Sequence, residues 1–188
     1  EYGGHQRFLE RARELAAAIE RFFSADEGGF YDHASMEESL GNLTLRDRPL
    51  ADNAVLAESF LRLALLEDEP RYREVAQRAL LLYAQTYDRA GMFAAPYGRA
   101  VRRYLAQPAS VVLVGSTDET SELREAAHNL PDALMTVRSI DTHDAAMLSK
   151  RGYDRELHPV AYVCKGQTCA APALDAADLR GAYEALPS

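Results

Sequence analysis

The spacing of apolar residues changes at Gln107-Pro108, and this change constrains the fold more than any other feature of the sequence. Before it, apolar residues recur every three or four positions, the period of a helix buried on one face. After it they run together, as in strands buried on both faces. The pattern predicts a mainly α chain with a small α/β part. The helical-hairpin region spans 1–107, and the α/β region with its Cys-x4-Cys spans 108–188.

In the first region Phe8, Ala12, Leu15, Ile19 and Phe22 alternate steps of four and three, which predicts a helix with that face inward. Asp26-Glu27-Gly28-Gly29 is a turn sequence that ends it. A short segment, Phe30-Tyr31-Asp32-His33, leads into a polar connection to Pro49. A second helix is expected from Asp52 or Asn53, as N-cap, to about Glu67, with Val55, Leu56, Phe60, Leu63 and Ala64 inward. Asp68-Glu69-Pro70 separates it from a third, carrying Tyr72, Val75, Ala76, Ala79, Leu80 and Tyr83. A connection that short makes the two an antiparallel αα-hairpin. A fourth helix is predicted around Pro96–Leu105.

Beyond Pro108, Val111-Val112-Leu113-Val114 reads as a buried strand ending in Gly115. Ser116-Thr117-Asp118-Glu119 has the form of a capping box, so a helix to about His128 should follow. Leu134-Met135-Thr136-Val137 is the next strand, which completes a parallel βαβ unit. Val160-Ala161-Tyr162-Val163 is a third strand, and Asp175 caps a last helix over Ala176–Leu186.

Composition excludes several functions. Lys and Arg number 21 against 29 Asp and Glu, a net charge of −8, which disfavours nucleic acid and anionic membranes as partners. No apolar run approaches the roughly 20 residues that span a bilayer. With 47% apolar residues in 188, the chain has material for a core without staples. Two cysteines are no disulfide scaffold and fit a cytoplasmic location. Glu1-Tyr2-Gly3-Gly4 reads as a cut inside a larger protein, with no leader following it.

Candidate chemistry gathers in a few places. Asp32, His33, Asp52 and Asn53 fall at predicted helix ends, and carboxylate–His pairs are the usual means of general acid–base catalysis. Asp52 and Asn53 also suit N-caps, and Asp32 suits a turn. Asp32, His33 and Asn53 are the candidate catalytic residues, whereas His5 and His128 read as surface residues. Gly115 after a strand invites a phosphate, but Gly-x-Gly-x-x-Gly is not written here, and Asp118 and Glu119 would repel one. No cofactor is implied. Cys164 and Cys169, with Gly166 between them, fit structural thiols, a small disulfide, or two of four zinc ligands. His158 and His143 are the nearest further ligands, without the spacing of a second ligand arm, so no metal site is assigned.

Taken in order, several segments carry a resemblance: Gly28-Gly29-Phe30-Tyr31-Asp32, Asp52-Asn53-Ala54-Val55, Leu61-Arg62-Leu63-Ala64, and Tyr72-Arg73. The Val-Val-Leu-Val-Gly run at 111–115 follows, then Ala161-Tyr162-Val163-Cys164 with Cys169 and Pro172. Together they resemble the C-terminal part of the thioredoxin-domain-containing proteins related to spermatogenesis-associated protein 20, over residues 8–186. The resemblance implies part of an (α/α)6 toroid similar to those of N-acylglucosamine 2-epimerases and six-hairpin glycosidases. It further implies an N-terminal thioredoxin-like domain in the parent chain, a place in carbohydrate metabolism, and a small carbohydrate as ligand. The family's Ser-Gly-Asn-Ser is replaced by Ala51-Asp52-Asn53-Ala54, which retains only Asn53. A ring section would leave apolar helix edges open to self-association. The resemblance also admits a non-catalytic interaction or scaffold domain attached to the thioredoxin-like domain.

Overall fold

In the computed structural model, residues 6–35, 45–106, 108–154, 156–166 and 168–187 are described. His5 and part of the polar connection before Pro49 lie outside them. The protein is mainly α with a small α/β part, in two compact units, the helical one being Arg7–Ala106.

The helical unit contains α1 (Gln6–Phe22), α2 (Leu50–Glu67), α3 (Pro70–Leu81) and α4 (Ala95–Leu105), with a 3-10 stretch at Tyr87–Ala94. Pro70 begins α3 and Pro96 lies in the first turn of α4, positions where a missing N–H costs nothing. Between α2 and α3, Asp68 turns into the left-handed region at φ 56° and returns its N–H to the Ala64 carbonyl. Ala57, Ala76, Ala79 and Ala100 are at most 1% exposed, and these small residues allow close helix packing. Phe30 stacks on Phe60 with ring centroids 5.5 Å apart, which ties the Gly28-Gly29 turn to the core of this unit.

Two helix faces differ from expectation. On α1 the buried side is Ala16 with Leu9, Ala12, Ile19 and Phe23 against the core, while Phe8, Leu15 and Phe22 are 59%, 49% and 51% exposed. Both stripes have helical spacing, and periodicity alone does not distinguish them. On α2, Val55 faces outward and Asn53, Ala54, Ala57, Phe60, Leu61 and Leu63 are buried. That helix also starts earlier than expected. Its N-cap is Pro49 in extended conformation, so Asp52 and Asn53 lie within the first turn rather than capping it.

The α/β unit runs β1 (Ala109–Val114), α5 (Ser121–His128), β2 (Thr136–Ile140), α6 (Ala145–Arg151), β3 (Val160–Lys165), β4 (Thr168–Cys169) and α7 (Ala176–Glu184). The sheet order is β2-β1-β3-β4, with β1 and β2 parallel and β3 antiparallel to both β1 and β4. Val111, Leu113, Val137, Ala161 and Val163 face α5 and α7, and Val112, Val114, Ile140 and Val160 face α6. β1 is thus covered on both faces, as its unbroken apolar run implies.

Three local expectations are corrected. The second strand begins at Thr136, because Leu134 and Met135 belong to a turn closed by Asp132. The Ser116–Glu119 pair makes both reciprocal capping-box bonds, Glu119 N–H to Ser116 Oγ at 3.3 Å and Ser116 N–H to Glu119 Oε2 at 2.9 Å. They close a turn ahead of α5, whose N-cap is Thr120. The helix α6, capped by the Asp144 side chain and ended by Gly152 at φ 68°, is an element that the sequence reading did not anticipate. Leu113, fully buried on the central strand, is the most direct probe of this core. Leu113→Ala should lower stability by about 3 kcal/mol in denaturant unfolding.

Candidate functional site

Gly28 and Gly29 adopt φ of 102° and 76°, and the turn they make carries Phe30–His33 against the start of α2. A Cβ on Gly29 would stand 2.8 Å from Asn53 Oδ1 and 2.9 Å from Leu82, so both backbone angle and space demand glycine.

Asn53 holds this segment in place. It is 1% exposed; its Oδ1 accepts from Phe30 N–H at 2.6 Å, and its Nδ2 donates to the carbonyls of Phe30 at 2.9 Å and Pro49 at 3.0 Å. Such a side chain positions backbone and is fully engaged in doing so. The sequence gives it a catalytic or capping role; in the structure it is a clamp.

Asp32 and His33 are brought together at the surface of this unit, with side chains 37% and 31% exposed. His33 Nδ1 lies 2.7 Å from Asp32 Oδ1, which also accepts from Asp47 N–H at 3.1 Å. Asp32 N–H in turn donates to the Asp47 carbonyl at 2.9 Å, so the two segments are laced by backbone as well. Arg46 donates to the His33 carbonyl at 3.0 Å and lies 3.8 Å over the Tyr31 ring. Arg48 pairs with Glu27 at 3.0 Å, and its carbonyl accepts from the Tyr83 hydroxyl at 2.6 Å. Burial pushes the Tyr83 phenol up to about 12.

Partial burial pushes the Asp32 carboxyl upward, but the Asp47 N–H and the hydrogen bond and charge of His33 outweigh it, leaving the pKa below the usual range. Asp32 is therefore an anion at neutral pH. An ionised carboxylate only accepts, so His33 Nδ1 carries the proton of this hydrogen bond. A depressed pKa stabilises the folded loop above the unfolded carboxylate value of about 3.9, and that stabilisation fades as pH falls through the lower folded value. Carboxyl-carbon NMR should place the Asp32 midpoint below about 3.9, and His33→Ala should raise it.

The sequence shows Asp32 and His33 as neighbours but not Arg46 and Asp47, which reach them through the loop before Pro49. Two further carboxylate–His pairs also escape sequence reading: Asp141 with His143 at 2.7 Å, and Glu119 with His158 at 3.8 Å.

Cys164 and Cys169 lie directly opposite each other on β3 and β4 and form a disulfide, with Gly166 at φ 60° in the turn between them. Their sulfurs are bonded to each other, so neither is a zinc-binding thiolate in this structure. Among the described residues no group of three or more His, Cys, Asp and Glu side chains is placed to hold a metal ion, and no helix is long and apolar enough to cross a membrane. No protein-family model, curated protein or solved structure matches the chain.

Proposed function

We propose that this chain is part of a cytoplasmic thioredoxin-domain-containing protein of the kind it resembles, its helical hairpins forming a sector of an (α/α)6 toroid. Its Asp32–His33 pair acts as acid–base catalyst on a small carbohydrate, in sugar isomerisation or epimerisation. The observation that supports this reading is the pair itself: a half-exposed imidazole oriented by an anionic carboxylate. Such a base removes the proton beside a sugar carbonyl and, in isomerisation, returns it on the same face to the neighbouring carbon while the C2 hydroxyl proton passes to the carbonyl oxygen. Epimerisation takes in addition a second acid on the opposite face. No electrons are gained or lost overall. Asp32 stabilises the imidazolium formed in between, and Asn53 fixes the backbone that carries both. Fold alone does not confer activity, so the residue pair carries the proposal.

The test is a thermal-shift titration of the full-length protein with N-acetyl-D-glucosamine, D-mannose and D-fructose, repeated on His33→Gln. A concentration-dependent rise in Tm with at least one sugar, reduced in the variant, is expected. No shift with any of them counts against the reading.

One observation favours a second reading, a non-catalytic interaction domain that presents the thioredoxin-like domain to clients. Phe8, Leu15 and Phe22 form an exposed apolar stripe on α1 within the described residues. On this reading the stripe self-associates or holds a partner, and Leu15→Glu abolishes a dimer in sedimentation velocity without changing any sugar response.

A further inference from the structure

The Cys164–Cys169 disulfide joins β3 to β4, the strand at one edge of the sheet. Little of the α/β unit depends on it. The two residues are 5 apart in sequence, and a bond that closes so short a loop removes the least chain entropy. The chain beyond it is fastened to β3 by other means. Ala170 N–H donates to the Val163 carbonyl at 2.9 Å, and Ala161 and Ala173 exchange both backbone hydrogen bonds at 2.8 and 2.9 Å. Ala173 and Leu179 then enter the core at 1% and 0% exposure, and the Asp175 side chain caps α7.

The two sulfurs differ in access. Cys169 and its neighbour Thr168 are exposed, whereas Cys164 is part-buried. On its other side β3 is paired with β1, where Ser110 stands opposite Cys164. A thiolate attacks a disulfide sulfur in line with the bond that breaks, from the side away from the leaving sulfur. The bond runs from β3 to β4, so the approach to Cys169 comes from beyond the sheet edge, where no further strand lies among the described residues. The approach to Cys164 passes over β1. Exposure and direction of attack both favour Cys169.

We propose that Cys164–Cys169 is a thiol–disulfide exchange site, reduced in the folded protein by a dithiol that attacks Cys169. The donor thiolate forms a bond to Cys169 Sγ, the Cys164–Cys169 bond breaks, and Cys164 leaves as a thiolate that takes a proton from water. The second thiol of the donor then attacks the donor's own sulfur in the mixed disulfide and releases Cys169. The donor ends as a disulfide and the pair as two thiols, a transfer of two electrons and two protons. Exposed disulfides are the readily exchanged ones, whereas structural disulfides resist reduction. The Ala161–Ala173 pairing and the buried Leu179 hold α7 without the bond, so the cycle runs without unfolding. The site lies within the α/β unit and does not depend on the reading of Asp32 and His33.

The test follows the intact chain with reduced glutathione, a monothiol whose attack leaves a mixed disulfide that can be trapped. Samples are quenched in acid at early times and free thiols are alkylated with N-ethylmaleimide. Trypsin cleavage after Lys165 then separates the two cysteines for mass analysis. The rate should rise linearly with glutathione concentration, and the adduct should fall on Cys169 at least about tenfold more often than on Cys164. Dithiothreitol should reduce the pair fully while the amide NMR signals of Ala173 and Leu179 are retained. A rate independent of glutathione concentration would mean that the bond is reached only through unfolding. That result, equal labelling of the two cysteines, or loss of the Ala173 and Leu179 signals on reduction would each overturn the proposal.

Discussion

Asn53→Asp should lower the stability of the chain by about 4 kcal/mol, the largest effect expected of any single-atom change in the helical unit. The substitution exchanges an NH2 that donates to two carbonyls, those of Phe30 and Pro49, for an acceptor-only oxygen. It places lone pairs against lone pairs at a site 1% exposed to solvent, and either the carboxylate is buried or it takes up a proton. The protonated form recovers one donor and restores part of the loss. The deficit should therefore be larger at pH 7 than at pH 4. Denaturant unfolding at the two pH values measures this, with hydrogen exchange at the Phe30 amide as the local readout. Asn53→Ala should cost less, about 3 kcal/mol, because it removes the partners without introducing a charge. A variant with Asp at position 53 as stable as the parent would mean that this side chain is not the clamp.

On the proposed acid–base role of Asp32 and His33, Asp32→Asn should cost at least about 100-fold in turnover, an effect much larger than its effect on stability. Asparagine keeps an oxygen for the Asp47 N–H, so the loop retains that bond, while the charge that sustains an imidazolium on His33 is gone. With its oxygen in place of Oδ1 the amide still accepts from Nδ1, but as a neutral group it no longer stabilises positive charge on the ring. A loss in kcat larger than the loss in KM would separate proton transfer from sugar binding.

Much of the fold is legible in the sequence, and the failures have definite causes. The α2–α3 hairpin is plain because its punctuation, Asp68-Glu69-Pro70, is as strong as its periodicity. The α1 face is read in part: Ala12 and Ile19 pack against the core as expected, whereas the large Phe8, Leu15 and Phe22 point outward and the small Ala16, which a crowded interface selects, takes the buried position. The start of α2 is misread because Pro49 fixes an extended conformation just where the helix can begin, which carries Asn53 inside it. α6 escapes because a helix of 7 residues shows less than two full periods.

The candidate site divides along the same line. Asp32 and His33 are adjacent in sequence, so their pairing needs no tertiary knowledge. Arg46 and Asp47 join them through a loop whose course no periodicity encodes, and Asn53 has an environment that only the folded turn creates. For Cys164 and Cys169 the spacing admits three chemistries. The strand register, with the two residues opposite each other, fixes the disulfide.

The proton transfer proposed for His33 is most directly measured as deuterium uptake. Incubating candidate sugars with the full-length protein in D2O and following loss of the C2 proton by NMR reports the step itself, without dependence on net conversion. The predicted result is exchange at C2 of at least one sugar, reduced about 100-fold or more in both His33→Gln and Asp32→Asn. Exchange that persists at the parent rate in both variants would contradict the assignment of Asp32 and His33 as the acid–base pair.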